Sequence, residues 1–195
     1  MDITSRQLEI IEAAGKILTS SGVSGFTIKN LAKEMQFSES AIYRHFSSKE
    51  EIIVAMLNYL ADNIDKRLSN LNSTTDPEAK FKAMFDEQFS FFNANPHFVV
   101  AVFSDGLMEE SQLVNETILN LMNVKIKHLM PIIQLGQQRG IFTSTITAEE
   151  IIHIVMGTFK LQMFKWRVAN FQFDIVRMGA NMVQSILTLI KNNKR

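Results

Sequence analysis

No cysteine occurs in the 195 residues, which excludes disulfides, thiolate metal sites and thiol nucleophiles together. Proline and glycine are scarce, at three and eight, so few positions force a helix to stop. No apolar run approaches the roughly 20 residues needed to cross a bilayer. The opening MDITSRQLEI also lacks the basic-then-apolar order of a secretory leader. A cytoplasmic protein with no membrane partner is the expectation. Charge of one sign is missing too, because twenty Lys plus Arg balance twenty Asp plus Glu. Global charge therefore advertises no nucleic-acid partner, and a grip on phosphate has to come from local geometry.

Catalytic signatures are absent as well. The chain has no Gly-rich phosphate loop, no HExxH and no GxSxG, and no nucleophile has an evident base nearby in sequence. Without cysteine or a His pair at helical spacing beside a carboxylate, neither a metal site nor a cofactor is expected. The chain does not read as an enzyme.

What is present is helical periodicity. Hydrophobic residues make up 46% of the chain, ample for a core, and they recur at helical spacing with no alternating run that demands a sheet. The fold class expected is all-α, with about nine helices. A first helix over Ser5–Ser20, capped by Thr4 or Ser5, points Leu8, Ile11, Ala14, Gly15 and Leu18 inward and stops at Ser21-Gly22. Thr27 caps a second helix with Ile28, Leu31, Ala32 and Met35 inward, and Ser38 caps a third with Ala41, Ile42 and Phe46 inward. Only Gln36 and Phe37 separate Met35 from Ser38. That is the brief turn of a helix-turn-helix, whose second helix enters the DNA major groove.

The run from Ile10 through Leu57 contains FTIKNLAKE followed by SESAIYRHFSSKEEII. It resembles the N-terminal DNA-binding domain of the TetR family of bacterial transcriptional regulators, most specifically in Ala-Ile-Tyr-Arg-His-Phe-x-x-Lys. The resemblance implies a three-helix DNA-binding domain at 1–48 and a larger helical ligand-binding and dimerisation domain at 49–195. One departure is visible, Gln36 standing where the family usually has Gly. Either Gln36 adopts the left-handed conformation at some strain, or the turn differs in detail.

Position by position, the resemblance gives Thr27, Tyr43, His45 and Lys49 the task of holding the DNA backbone. Base reading falls to Ser38, Glu39, Ser40 and Arg44, with Arg suited to guanine and Glu39 to the cytosine amine. A blander role is open for two of them. Glu39 in a first turn also favours the helix dipole while facing water, and Tyr43 also suits partial packing. From Thr27 to Lys49, four basic residues against two acidic ones leave only +2.

Downstream, Ser48 caps a fourth helix running towards Leu71, a mechanical link between the domains. A short polar connection ends at Asp76-Pro77-Glu78, a strong helix start. The fifth helix carries Phe81, Phe85, Phe89 and Phe92 on one side, and Asn95-Pro96 ends it. A shorter helix over Phe98–Phe103 precedes a break at Asp105-Gly106. A long helix from Ser111 to Gln138 meets Pro131, which is expected to kink it near Lys127–Leu129. Thr147 caps the next, and the last runs from near Phe173 to Ile190.

Two readings stand for the aromatic residues of these helices. Phe85, Phe89, Phe92, Phe103, Met108, Phe159, Met163 and Trp166, with His128, His153 and Gln162 as polar contacts, line a cavity for an apolar or amphipathic small molecule, or they are simply the core. In the final helix, Val176, Gly179, Val183, Ile186 and Ile190, with Ile175 beside them, form the seam expected to meet a second copy. Ile175, Met178, Met182 and Leu189 form an adjacent one. A two-fold dimer built from the last two helices is expected, with a single broad buried face inside one chain as the alternative.

The function expected is a homodimeric, ligand-responsive TetR-type repressor on a palindromic double-stranded DNA operator, with an unknown small-molecule effector. Two alternatives are a DNA-binding organiser without effector, and a helical ligand carrier or enzyme with a vestigial head.

Overall fold

The computed structural model describes residues 3–71, 75–103 and 111–192. They contain α1 (Ser5–Gly25), α2 (Ile28–Glu34), α3 (Glu39–Tyr43), α4 (Lys49–Ser69), α5 (Pro77–Ala94), α6 (His97–Phe103), α7 (Gln112–Gln138), α8 (Ala148–Val168) and α9 (Ile175–Ile190), and no strand. The all-α expectation holds, and the break expected at Asp105-Gly106 lies outside the described residues.

The helix starts follow local side-chain chemistry. Thr4 caps α1 in a capping box with Gln7, Thr147 caps α8 in another with Glu150, and Asp174 accepts from the Arg177 amide at the start of α9. Ser48 accepts from the Glu51 amide at 3.1 Å and Asp76 from the Ala79 amide at 2.9 Å. Each cap satisfies a backbone donor that the helix itself leaves orphaned. Gly22 breaks α1 where the sequence predicts, at φ 68° and ψ −174°, a region that glycine enters without steric cost. Along α7, Leu121, Lys125, Leu129 and Ile133 recur every four residues and all are buried, so the inward stripe of this helix contains one lysine. The helix continues through Pro131.

Two compact units divide these residues. One holds the described residues of Met1–Asn63 and Asn95–Met122, and the other those of Ile64–Ala94 and Asn123–Arg195. In the first, α1 packs against α2 and α6. A Cβ on Gly15 would lie 2.6 Å from the His97 ring, so glycine is what lets α6 seat its first residue on α1. In the second, α9 packs on α5 and α8, and Phe159 of α8 sits among Phe85, Phe89 and Phe92 at centroid distances of 5.7, 5.2 and 6.3 Å. These tilted ring pairs, all buried, add to the area they remove from water. The end of α9 is tied to the α7–α8 loop by the Thr143 amide donating to Ile190 O at 2.7 Å and the Asn192 amide to Ile141 O at 2.9 Å.

Candidate nucleic-acid interface

The head is built from three short inward residues and a turn. Leu31, Ile42 and Phe46 are buried, and their burial turns the opposite edges of α2 and α3 outward. Thr27, Ser38, Glu39, Ser40, Tyr43 and Arg44 are exposed, while His45 and Lys49 are half-buried. The eight residues expected to contact DNA therefore lie in one unit, six of them exposed and two half-buried, and Tyr43 is half exposed.

Several of them also hold the head together. Thr27 Oγ1 accepts from the Asn30 amide at 3.1 Å, and Ser38 Oγ accepts from the Ala41 amide at 3.2 Å and lies 2.9 Å from Ser40 Oγ. Both hydroxyls are thus fixed in direction. The Lys49 ammonium lies 5.7 Å from the centre of the buried Phe26 ring, and the His45 carbonyl accepts from Gln7 Nε2 at 3.3 Å. The Thr27, Ser38 and Lys49 side chains, held this way, lose less freedom when a phosphate arrives.

Gln36 resolves the question raised by its departure from the family pattern. Its φ is 56°, and the Phe37 amide donates to Ala32 O at 2.8 Å while the Gln36 amide donates to Lys33 O at 3.2 Å. This is the paired bond set that closes a helix through a left-handed residue. The family's glycine conformation is kept and the glycine is not. A non-glycine residue there costs about 1–2 kcal/mol, less the roughly 0.4–1 kcal/mol by which glycine favours the unfolded chain. Gln36→Gly should therefore raise the melting temperature of the intact protein by roughly 1–3 °C. A fall in a calorimetric scan would mean that the exposed Gln36 side chain contributes stability of its own.

The residues expected to line an effector cavity are only partly brought together. Phe85, Phe89, Phe92, Phe159 and Met163 are buried in the second unit. Phe103 belongs to the first unit, His153 is exposed, and Met108 lies outside the described residues. Trp166 is buried with its indole N–H donating to Phe173 O at 2.9 Å, so its one polar handle serves the α8–α9 turn. His128 Nε2 lies 2.6 Å from Asp65 Oδ1, and Lys127 Nζ 3.0 Å from the same oxygen; hydrogen bonds from Lys127 first and His128 second hold the Asp65 carboxyl below its ordinary pKa. A cleft of about 120 Å³ in this unit is lined by Leu68, Lys80, Met84, His128, Pro131 and Ile132 among others. Of the expected set, His128 alone takes part in it.

The dimer seam requires correction. Ile175, Gly179, Val183, Ile186 and Ile190 are buried against their own chain, and Val176 is half-buried. On the last two helices the uncovered apolar side chains are Ile154, Leu161, Phe164 and Val168 of α8 and Met178 and Leu189 of α9. Two adjacent seams were legible on α9, and periodicity alone does not say which one meets the chain's own core. The interior of α7 also held a residue that sequence reading missed. Lys125 is 3% exposed, and its signal was a lysine at a stripe position shared with Leu121, Leu129 and Ile133.

A polar, exposed helix-turn-helix edge above a buried apolar face, followed by a larger helical body, defines a protein of the helix-turn-helix regulator class. Residues 10–56 match the model of bacterial regulatory proteins of the tetR family, and residues 56–190 match that of the C-terminal region of YsiA-like proteins. The chain belongs to the TetR family of bacterial transcriptional regulators. It is 28% identical over 117 residues to the nucleoid occlusion factor SlmA of Vibrio campbellii, a match that spans 59% of this chain and 60% of that protein. It is 24% identical over 157 residues to the HTH-type transcriptional repressor KstR2 of Rhodococcus jostii, over 80% of this chain and 76% of that one. Its fold is similar to that of the transcriptional regulator FadR of Bacillus subtilis in complex with stearoyl-CoA, with a TM-score of 0.83, 16% identity, and 94% and 98% of the two chains covered.

Proposed function

We propose that the protein is a homodimeric repressor that binds a palindromic double-stranded DNA operator in the cytoplasm and leaves it when a small apolar or amphipathic molecule binds its C-terminal region. The observation that carries the DNA part is the outward edge of α2 and α3, where Thr27, Ser38, Glu39, Ser40, Tyr43 and Arg44 are exposed above the buried Ile42 and Phe46. Thr27, Tyr43, His45 and Lys49 position the backbone, and Ser38, Glu39, Ser40 and Arg44 face the bases. With +2 on each head, one copy grips weakly and two heads about 34 Å apart are needed.

The dimer is supported by the uncovered face of α8 and α9. Ile154, Gly157, Leu161, Phe164 and Val168 recur at alternating steps of three and four residues, the pattern of a helix-packing seam. All of them are exposed in the single chain, and a Cβ on Gly157 would meet nothing within 4 Å. The repressor part is supported by the relative KstR2, a transcriptional repressor, and the ligand part by the similarly folded FadR, which is in complex with stearoyl-CoA. Opposed binding of operator and ligand would make each weaken the other by the same factor, typically about 5 to 150-fold. No described helix is long and apolar enough to cross a membrane.

Gel shifts on the DNA upstream of the chain's own gene test this reading. Tyr43→Ala and Lys49→Ala should each weaken operator binding about 10–100-fold, because each substitution acts twice in a dimer, and Lys49→Ala should also lower the salt slope by about 2. Wild-type affinity in both variants at physiological salt would remove the proposed face. The nucleoid occlusion factor among the relatives favours a second reading, a DNA-binding organiser without effector. It predicts many genomic sites and no release by any ligand.

A further inference from the structure

Lys125 is buried in the aromatic core of the second unit, where no described residue offers its ammonium a counter-charge. Its ammonium lies 4.3 Å from the centroid of Phe159 and 5.3 Å from that of Phe92. Ring faces compensate part of the lost hydration. No described carboxylate pairs with it, and burial alone pushes its pKa down to about 7. A buried ammonium left in this state is costly.

Two further polar groups beside the same rings are unsatisfied. Gln88 lies one turn before Phe92 on α5 and Gln162 one turn after Phe159 on α8. Gln88 Oε1 and Gln162 Nε2 are buried without a hydrogen-bond partner among the described residues. Buried polar groups are normally paired, and among the described residues a cation, a donor and an acceptor on the helices of this core have no partner. An anion would supply the counter-charge that the ammonium lacks. The rings touch one another in this structure, so such a guest has to separate them, and pairing with the ammonium supplies the drive.

We propose that this core receives the carboxylate of an amphipathic ligand, with the Lys125 ammonium as its counter-ion and its apolar chain among Phe85, Phe89, Phe92 and Phe159. The inference rests on the ligand-responsive reading above and narrows it to free carboxylates. A thioester or an alcohol of equal chain length carries no charge to this point and gains no ion pair.

Dodecanoate and dodecanol, each below its aggregation concentration, serve as probes for the full-length protein in calorimetric titration and thermal melts. Wild type should bind dodecanoate at least about tenfold more tightly than dodecanol. Lys125→Met should lose that preference, keep its dodecanol binding, and melt no lower than wild type without ligand, since it removes an unpaired buried charge. A measurement on wild type alone covers a variant that misfolds. Pairing raises the lysine pKa, so at pH 8, above a ligand-free value of about 7, dodecanoate should bring the uptake of close to one proton and dodecanol none. Titration in buffers of unequal ionisation enthalpy reads that number. Equal binding of the two probes by wild type, or a carboxylate preference that survives in Lys125→Met, overturns the inference and leaves the ligand-responsive reading standing. Failure of both probes to bind overturns both.

Discussion

Leu161→Asp should convert the protein to a monomer and abolish specific DNA binding, without lowering the stability of the chain itself. Leu161 is 58% exposed, so a carboxylate there stays hydrated in an isolated chain. In a two-fold dimer through α8 and α9 the substitution appears twice at the seam, beside Phe164 and Val168. Burying an unpaired carboxylate costs several kcal/mol, and two of them weaken the dimer by about a thousandfold or more. Sedimentation equilibrium reads the oligomeric state, and circular dichroism checks that the helices persist. Loss of DNA binding then follows because a single head carries too little charge to hold an operator. A Leu161→Asp protein that still sediments as a dimer at micromolar concentration would place the interface elsewhere. Ile186→Asp provides the contrast, since Ile186 is 3% exposed and a carboxylate at that position should unfold the second unit.

Gly179→Val should lower the melting temperature of the intact protein by roughly 5–10 °C, which corresponds to about 2–3 kcal/mol at this chain length. The glycine lies in the second turn of α9, where its helix propensity is poor by about 1 kcal/mol against alanine. Its retention has a packing reason. A Cβ added there would lie 2.3 Å from the Cδ2 atom of Phe89. Phe89 is fully buried and packs at a tilt against Phe159 with centroids 5.2 Å apart, so it has nowhere to go. Overpacking a core of this kind typically costs about 1–3 kcal/mol, which exceeds what better helix propensity returns. An unchanged melting temperature would mean that α9 does not approach α5 through Gly179.

The helix-turn-helix head was legible largely from Thr27–Lys49, because most of what shapes it is local. Capping by Thr27 and Ser38, the inward Leu31 and Ile42, and the two-residue turn each depend on neighbours a few positions away. The effector residues were far less legible. Aromatic residues at helical spacing specify a core and say nothing about whether space remains inside it, and the structure assigns Phe103 and Phe89 to different units. Lys125 escaped notice because a lysine in sequence reads as solvated, and only the packing of α5 and α8 around it shows otherwise.

By itself the sequence determined the helices, their caps, the helix-turn-helix and the side of α2 and α3 that faces outward, since each is set by interactions within a turn or two of the chain. It also determined that the φ of residue 36 was in question. Only the tertiary structure decided that Gln36 accepts the left-handed conformation at φ 56°, that the seam through Gly179 and Ile186 faces inward, and that Leu161 and Phe164 of α8 are among the side chains left uncovered. The physical reason is the same in each case. A helix with two apolar stripes satisfies its own periodicity whichever way it turns, and the choice is made by side chains far away in sequence, such as the Phe89 ring that only a glycine can admit.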